Sequence, residues 1–168
     1  MVFVSVGDGC ILAGVYKGFR DLLQMNLISA MPHIVGVQAE GSNALSRAMA
    51  TGSFDAAPAF TLADSICVDV PRNGYHALAL LQQFQGELAT VTDEEIVRAQ
   101  AHLSSSSGLF TEPAGAAAFA GFLKRLPRLE RDATIVILAT GNGLKDCVAA
   151  QRGIEMPVNL ISSANDIL

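Results

Sequence analysis

Short β-branched runs alternate along the chain with longer stretches of helical period. Val2-Phe3-Val4-Ser5-Val6 reads as a strand and ends at Gly7-Asp8-Gly9-Cys10. Leu12, Val15, Tyr16, Phe19, Leu22 and Leu23 then recur on one helical face, with Lys17, Arg20, Asp21 and Gln24 on the other. Ile34 to Gln38 predicts a second strand, followed by a short helix with Leu45, Ala48 and Met49 inward and Ser42 as its cap. Beyond a Gly/Pro-containing loop at residues 51–59, the pattern predicts a short strand over 65–70, a helix over 73–84 and a strand over 87–91. Thr92-Asp93-Glu94-Glu95 has the spacing of a capping box, so its acids are read as structural. The serine run Ser104 to Ser107 with Gly108 reads as a polar loop ending that helix. Glu112-Pro113 opens the next helix, with Phe119, Phe122, Leu123 and Leu126 on one stripe, and residues 134–139 predict a strand buried on both faces. Alternation of this kind specifies an α/β fold: an open parallel sheet of roughly four or five strands with helices on both faces, in three αβα layers.

Charge and composition narrow the partners. Eleven Lys+Arg against 16 Asp+Glu give a net charge of -5, with no basic cluster, which argues against nucleic acid or an anionic membrane surface as partner. Hydrophobic residues reach 51% and charged ones only 16%, so disorder is excluded and some apolar surface is expected to need a cover. The longest uncharged apolar stretch, Pro113 to Leu123, falls far short of the ~20 residues of a membrane span. No basic residue precedes Lys17, unlike a secretory signal, so a cytoplasmic location is expected. Cys10, Cys67 and Cys147 have no metal-ligand spacing; reduced thiols and no metal are expected, with Cys67 and Cys147 as packing residues. His33, His76 and His102 are scattered singly and read as structural.

Chemistry concentrates at two glycine-rich turns. After a strand, Gly7-Asp8-Gly9-Cys10 lets backbone amides converge at a helix N-terminus, where they either cradle an anion or simply form a β-α turn. Position 12 is Leu, so the dinucleotide fingerprint fails; Gly9 and Gly14 have P-loop separation, but Val15-Tyr16 follows where Lys-Ser/Thr belongs. The second turn is Thr140-Gly141-Asn142-Gly143-Leu144-Lys145-Asp146.

With Glu112-Pro113-Ala114-Gly115-Ala116-Ala117-Ala118 between them, these segments, in this order, resemble the C-terminal half of fold-type II pyridoxal-phosphate enzymes, most closely the threonine synthases. The resemblance runs from about Val2 to about Cys147, and includes Thr61-Leu62-Ala63-Asp64. It implies pyridoxal 5'-phosphate as cofactor, with Gly7, Asp8, Gly9, Cys10 and Ile11 at its phosphate, Thr140 at its pyridine nitrogen and Glu112 nearby. A neutral hydroxyl at that nitrogen does not enforce a pyridinium, which favours elimination or replacement at the β-carbon over transamination. Asp8 departs from what a phosphate site wants, and its carboxylate is expected to turn away and accept from an amide.

The resemblance also implies a Schiff-base lysine in a preceding half of the enzyme. Lys17, Lys124 and Lys145 do not match it, Lys145 falling in the structural Gly-Leu-Lys-Asp segment, so no catalytic residue is assigned. Residues 1–147 are therefore expected to be the C-terminal portion of the enzyme domain, with the N-terminal half absent and 148–168 a tail. The implied reaction converts O-phosphohomoserine, a small amino-acid substrate, to threonine, in a full-length homodimer. Threonine or serine dehydratase, another β-replacement enzyme such as cysteate synthase, and a non-catalytic paralogue serving as a binding module are the alternatives.

Overall fold

The structure is a computed structural model and describes residues 1–154 and residue 163. Four strands, β1 (Val2–Ser5), β2 (Ile34–Ala39), β3 (Glu87–Val91) and β4 (Val136–Leu138), form one all-parallel sheet in the order β3-β2-β1-β4. Around it lie α1 (Cys10–Gln24), α2 (Ala44–Thr51), α3 (Gly74–Gln83), α4 (Asp93–Ser107), α5 (Pro113–Arg125) and α6 (Cys147–Gln151).

The period of two in β1 sorts the core into halves. Val2, Val4 and Val6 pack with Leu12, Tyr16, Leu45 and Leu81 beneath α1, α2 and α3, whereas Phe3 packs with Val35, Val37, Ile96 and the α5 alanines beneath α4 and α5. This is the expected three-layer αβα arrangement. Burial pushes the Tyr16 phenol up to about 12, its hydroxyl finding no hydrogen-bond partner among the described residues, and Gly86 admits it because a Cβ there would stand 1.9 Å from the hydroxyl.

Several local expectations are corrected. Residues 65–70 form no strand: Asp64–Ile66 is a 3₁₀ turn, and the segment hangs on Ser42, whose hydroxyl donates to the Ile66 carbonyl at 2.9 Å and accepts from the Val68 amide at 2.9 Å. Ser42 is thereby spent, and the N-cap of α2 is Asn43, whose side chain accepts from Arg47 Nη1 at 3.0 Å and does not cap the helix. The strand expected over 134–139 is three residues long and, among the described residues, lies at the sheet edge with Val136 exposed. The serine run is the last turn of α4, because Ser105, Ser106 and Ser107 return their hydroxyls to the His102 and Leu103 carbonyls; Gly108 ends the helix in the left-handed region.

On α5 the fully buried positions include Ala114, Ala116, Ala117, Ala118, Ala120 and Gly121, while the partly buried Phe119, Phe122 and Leu123 pack against the same core and Leu126 is exposed. Small residues bring the helix close: a Cβ on Gly121 would lie 2.4 Å from a Val37 methyl. Cys147 is exposed and Cys67 half-buried, so the packing role holds at most for Cys67. The capping box at Thr92 and Glu95 forms as the spacing predicts. Of the tail, Val148–Gln151 belongs to α6 and residues 152–154 follow it; the remainder, Ser163 apart, lies outside the described residues.

Candidate cofactor site at the carboxyl end of the sheet

Strand order places the site. From β1 the chain moves outward to β2 and β3, then returns to the opposite side of β1 as β4, so the topological switch lies between β1 and β4. Loops leaving neighbouring strands there diverge and open a crevice at the carboxyl ends. A cavity of about 220 Å³ occupies that position, walled by Gly7, Asp8, Gly9, Cys10 and Ile11 from the β1–α1 turn, Ser65 and Ile66, Glu112 and Ala114 at the start of α5, and Thr140 after β4. Every residue expected at the cofactor thus meets at one opening.

The β1–α1 turn has the properties of an anion cradle. Gly9 sits at φ +83°, where a Cβ would lie 2.8 Å from Ala77 Cβ, and a Cβ on Gly7 would lie 2.8 Å from Ile66 Cα. The turn's carbonyls are engaged elsewhere: that of Asp8 accepts from the Asn73 amide at 3.1 Å, and that of Gly9 from the Ala13 amide at 3.0 Å. Amides of Gly7, Asp8 and Gly9 find no acceptor among the described residues, and those of Cys10 and Ile11 begin α1, whose first turn holds no acid. The Asp8 carboxylate turns away as expected and accepts from the Arg72 amide at 2.9 Å. The residues present fit a phosphate dianion held by backbone alone.

Thr140 is positioned by two glycines. Gly115 lets α5 approach so closely that a Cβ there would overlap the Thr140 carbonyl oxygen at 1.7 Å, and Gly141, at φ +67°, leaves room for the Glu112 carboxylate, which a Cβ would meet at 2.3 Å. The Thr140 hydroxyl itself has no hydrogen-bond partner among the described residues. Glu112 is buried at the N-cap of α5, yet its side chain does not cap the helix. Instead Oε2 accepts from Ser65 Oγ at 3.3 Å and pairs with Lys145 Nζ at 2.9 Å. That contact, and the negative charge behind it, raises the Lys145 ammonium above its ordinary value, with Asp64 adding to the effect.

Sequence reasoning missed Lys145 and Ser65 as members of the site. Lys145 follows Thr140 by five residues, which was a usable signal; nothing in the sequence pointed to Ser65. The other lysines stand elsewhere: Lys17 pairs with Asp21 on α1, and Lys124 binds the Thr90 carbonyl and Glu95. No histidine lines the cavity. His33 is 3.1 Å from Glu87, whose carboxyl the Arg125 hydrogen bond holds below the usual range, and His102 packs edge-on against Phe119. Among the described residues no His, Cys, Asp and Glu group could hold a metal, and no helix is long and apolar enough to cross a membrane.

The chain belongs to the pyridoxal-phosphate dependent enzyme family, whose model matches residues 1–141. Within it the chain is similar to threonine synthases. It is 36% identical to that of Methanocaldococcus jannaschii over 98% of this chain and 42% of that protein, and 35% identical to that of Methanosarcina acetivorans over 86% and 37%. Among solved structures, the T.th. threonine deaminase superposes with a TM-score of 0.67 at 26% identity, over 84% of this chain and 48% of that one. The chain therefore spans about 40% of the length of the curated relatives it matches.

Proposed function

We propose that this chain supplies the phosphate and pyridine contacts of a threonine synthase-like enzyme, which turns O-phosphohomoserine into threonine and phosphate in the cytoplasm. The observation that carries the reading is the single cavity uniting the Gly7–Ile11 turn, Glu112 and Thr140 at the switch point of a chain whose curated relatives are threonine synthases. When bound, pyridoxal phosphate supplies an electron sink for a carbanion at the substrate's Cα. The chain's own residues do the rest of what falls to this half. Amides of Gly7, Asp8, Gly9, Cys10 and Ile11 hold the phosphate, adding the partial positive charge of α1. Thr140 sets the ring by a hydroxyl contact to its nitrogen that leaves the nitrogen free of an enforced proton. The packed walls from Ile66 and Ala114 restrict water.

Lys17, Lys124 and Lys145 are each committed to other partners, so the covalent lysine on this reading lies in the portion of a full-length synthase that the 168 residues do not span. The test is an assay of the polypeptide or complex that carries these residues with both candidate substrates. Threonine and phosphate formed in equal amounts from O-phosphohomoserine are expected. Production of 2-oxobutanoate from threonine would assign a dehydratase, and phosphate release without threonine would reject the synthase.

A further inference from the structure

Two acids line the cofactor cavity, Asp8 and Glu112. Asp8 is turned onto the Arg72 amide outside the cradle, which leaves Glu112 as the negative charge on a wall shaped for an anion. Its carboxylate is held from three segments far apart in the chain: the helix start at 112, Ser65 from the 3₁₀ turn after α2, and Lys145 from the 3₁₀ turn Gly143–Lys145. Lys145 Nζ also donates to Ser65 Oγ at 2.9 Å, which closes the set. The other oxygen, Oε1, lies against Gly141, next to Thr140.

A carboxylate left loose at this place has two consequences. It repels the bound phosphate, and it competes with the Thr140 hydroxyl for the ring nitrogen, where it stabilises the protonated ring. We infer that Lys145 is a positioning residue that compensates the Glu112 charge on the cavity wall and keeps its carboxylate off the ring-nitrogen position beside Thr140. This rests on the proposed cofactor site and names which residue sets its charge. Lys145 stands with Asp64 and Asp146 in a neighbouring cavity that shares Ser65, Glu112 and Ala114 with the first, so it reaches the cofactor cavity only through Glu112 and Ser65.

The experiment uses the full 168-residue chain and pyridoxine 5'-phosphate, which has no aldehyde and cannot bond covalently to surface lysines. Affinity and the pH dependence of the bound ring's ultraviolet absorption are measured for the wild type, Lys145→Met, Lys145→Arg and the double variant Lys145→Met/Glu112→Gln. Lys145→Met is expected to weaken binding about fivefold, because the uncompensated Glu112 charge acts on the phosphate through water-like screening in an open cavity, and to hold the ring proton to higher pH. Lys145→Arg retains wild-type behaviour, and the double variant returns within about twofold of it, because the charge to be compensated has gone. Lys145 is largely exposed, so folding is preserved, and a thermal melt verifies it. Wild-type binding by Lys145→Met, or a double variant as weak as Lys145→Met, overturns the inference while the cofactor site stands. Failure of the wild type to bind overturns the cofactor site and the inference with it.

Discussion

Gly115→Ala is expected to destabilise the protein by about 1–3 kcal/mol, the range for overpacking a close contact, and to abolish measurable binding of pyridoxine 5'-phosphate. In an exposed helix interior the same substitution stabilises by roughly 1 kcal/mol, since alanine is the better helix former. Here the added Cβ would stand 1.7 Å from the Thr140 carbonyl oxygen and 2.7 Å from its carbon. Neither is a flexible side chain, so either α5 lifts from β1 or the Thr140 segment shifts. Either movement takes Thr140 out of register with the Gly7–Ile11 turn, so stability and binding fall together. Gly14→Ala and Gly18→Ala in α1 are controls of opposite sign: a Cβ at either meets nothing within 4 Å, and both are expected to stabilise by about 0.5–1 kcal/mol without touching binding. Urea denaturation and ligand titration of the three variants check this; stabilisation by Gly115→Ala would mean that α5 does not press on Thr140.

The second large effect is expected from Gly9→Ala, with at least a tenfold loss of affinity for the phosphate ligand. Gly9 holds φ +83°, which costs an L-residue about 1–2 kcal/mol, and its Cβ would come within 2.8 Å of Ala77 Cβ on α3. Relief of both requires the turn to rotate, which redirects the Gly9 and Cys10 amides assigned to the phosphate in the proposed function. Gly52 isolates the strain from the site, because it has the same φ of +83° at the end of α2 with nothing within 4 Å of a Cβ. Gly52→Ala should lower stability by a similar amount and leave the affinity unchanged. Equal affinities for Gly9→Ala and the wild type would remove the turn from the cofactor site.

What could be read in the sequence follows from how locally each feature is encoded. The β1–α1 unit is written in consecutive residues, as are β2, β3 and the Thr92–Glu95 capping box, and each appears where the pattern puts it. Failures occur where a distant partner decides. A polar Ser42 before a helix looks like a cap, but the Ile66–Val68 backbone claims its hydroxyl first. The β-branched run before Thr140 looks like a central strand, yet among the described residues the sheet supplies it only one neighbour, β1. The α5 stripe of Phe119, Phe122 and Leu123 does pack against the core, but its most buried positions are alanine and glycine, which close approach to the neighbouring backbone selects and periodicity does not single out. The site divides likewise: the phosphate turn is a local motif, and the Ser65–Glu112–Lys145 set needs three turns brought together by the fold, which no local pattern encodes.

The most direct test of the cofactor assignment is a ¹H–¹⁵N correlation titration of the 168-residue chain with pyridoxine 5'-phosphate, reading each backbone amide separately. Phosphate hydrogen bonds without the covalent link and the second wall of the pocket are expected to leave a high-micromolar to millimolar affinity, on the order of 4–6 kcal/mol. The account predicts saturating shifts at Gly7, Asp8, Gly9, Cys10 and Ile11 and at Thr140, with inorganic phosphate moving the first group and not Thr140. Shifts that saturate elsewhere while these amides stay still would contradict it.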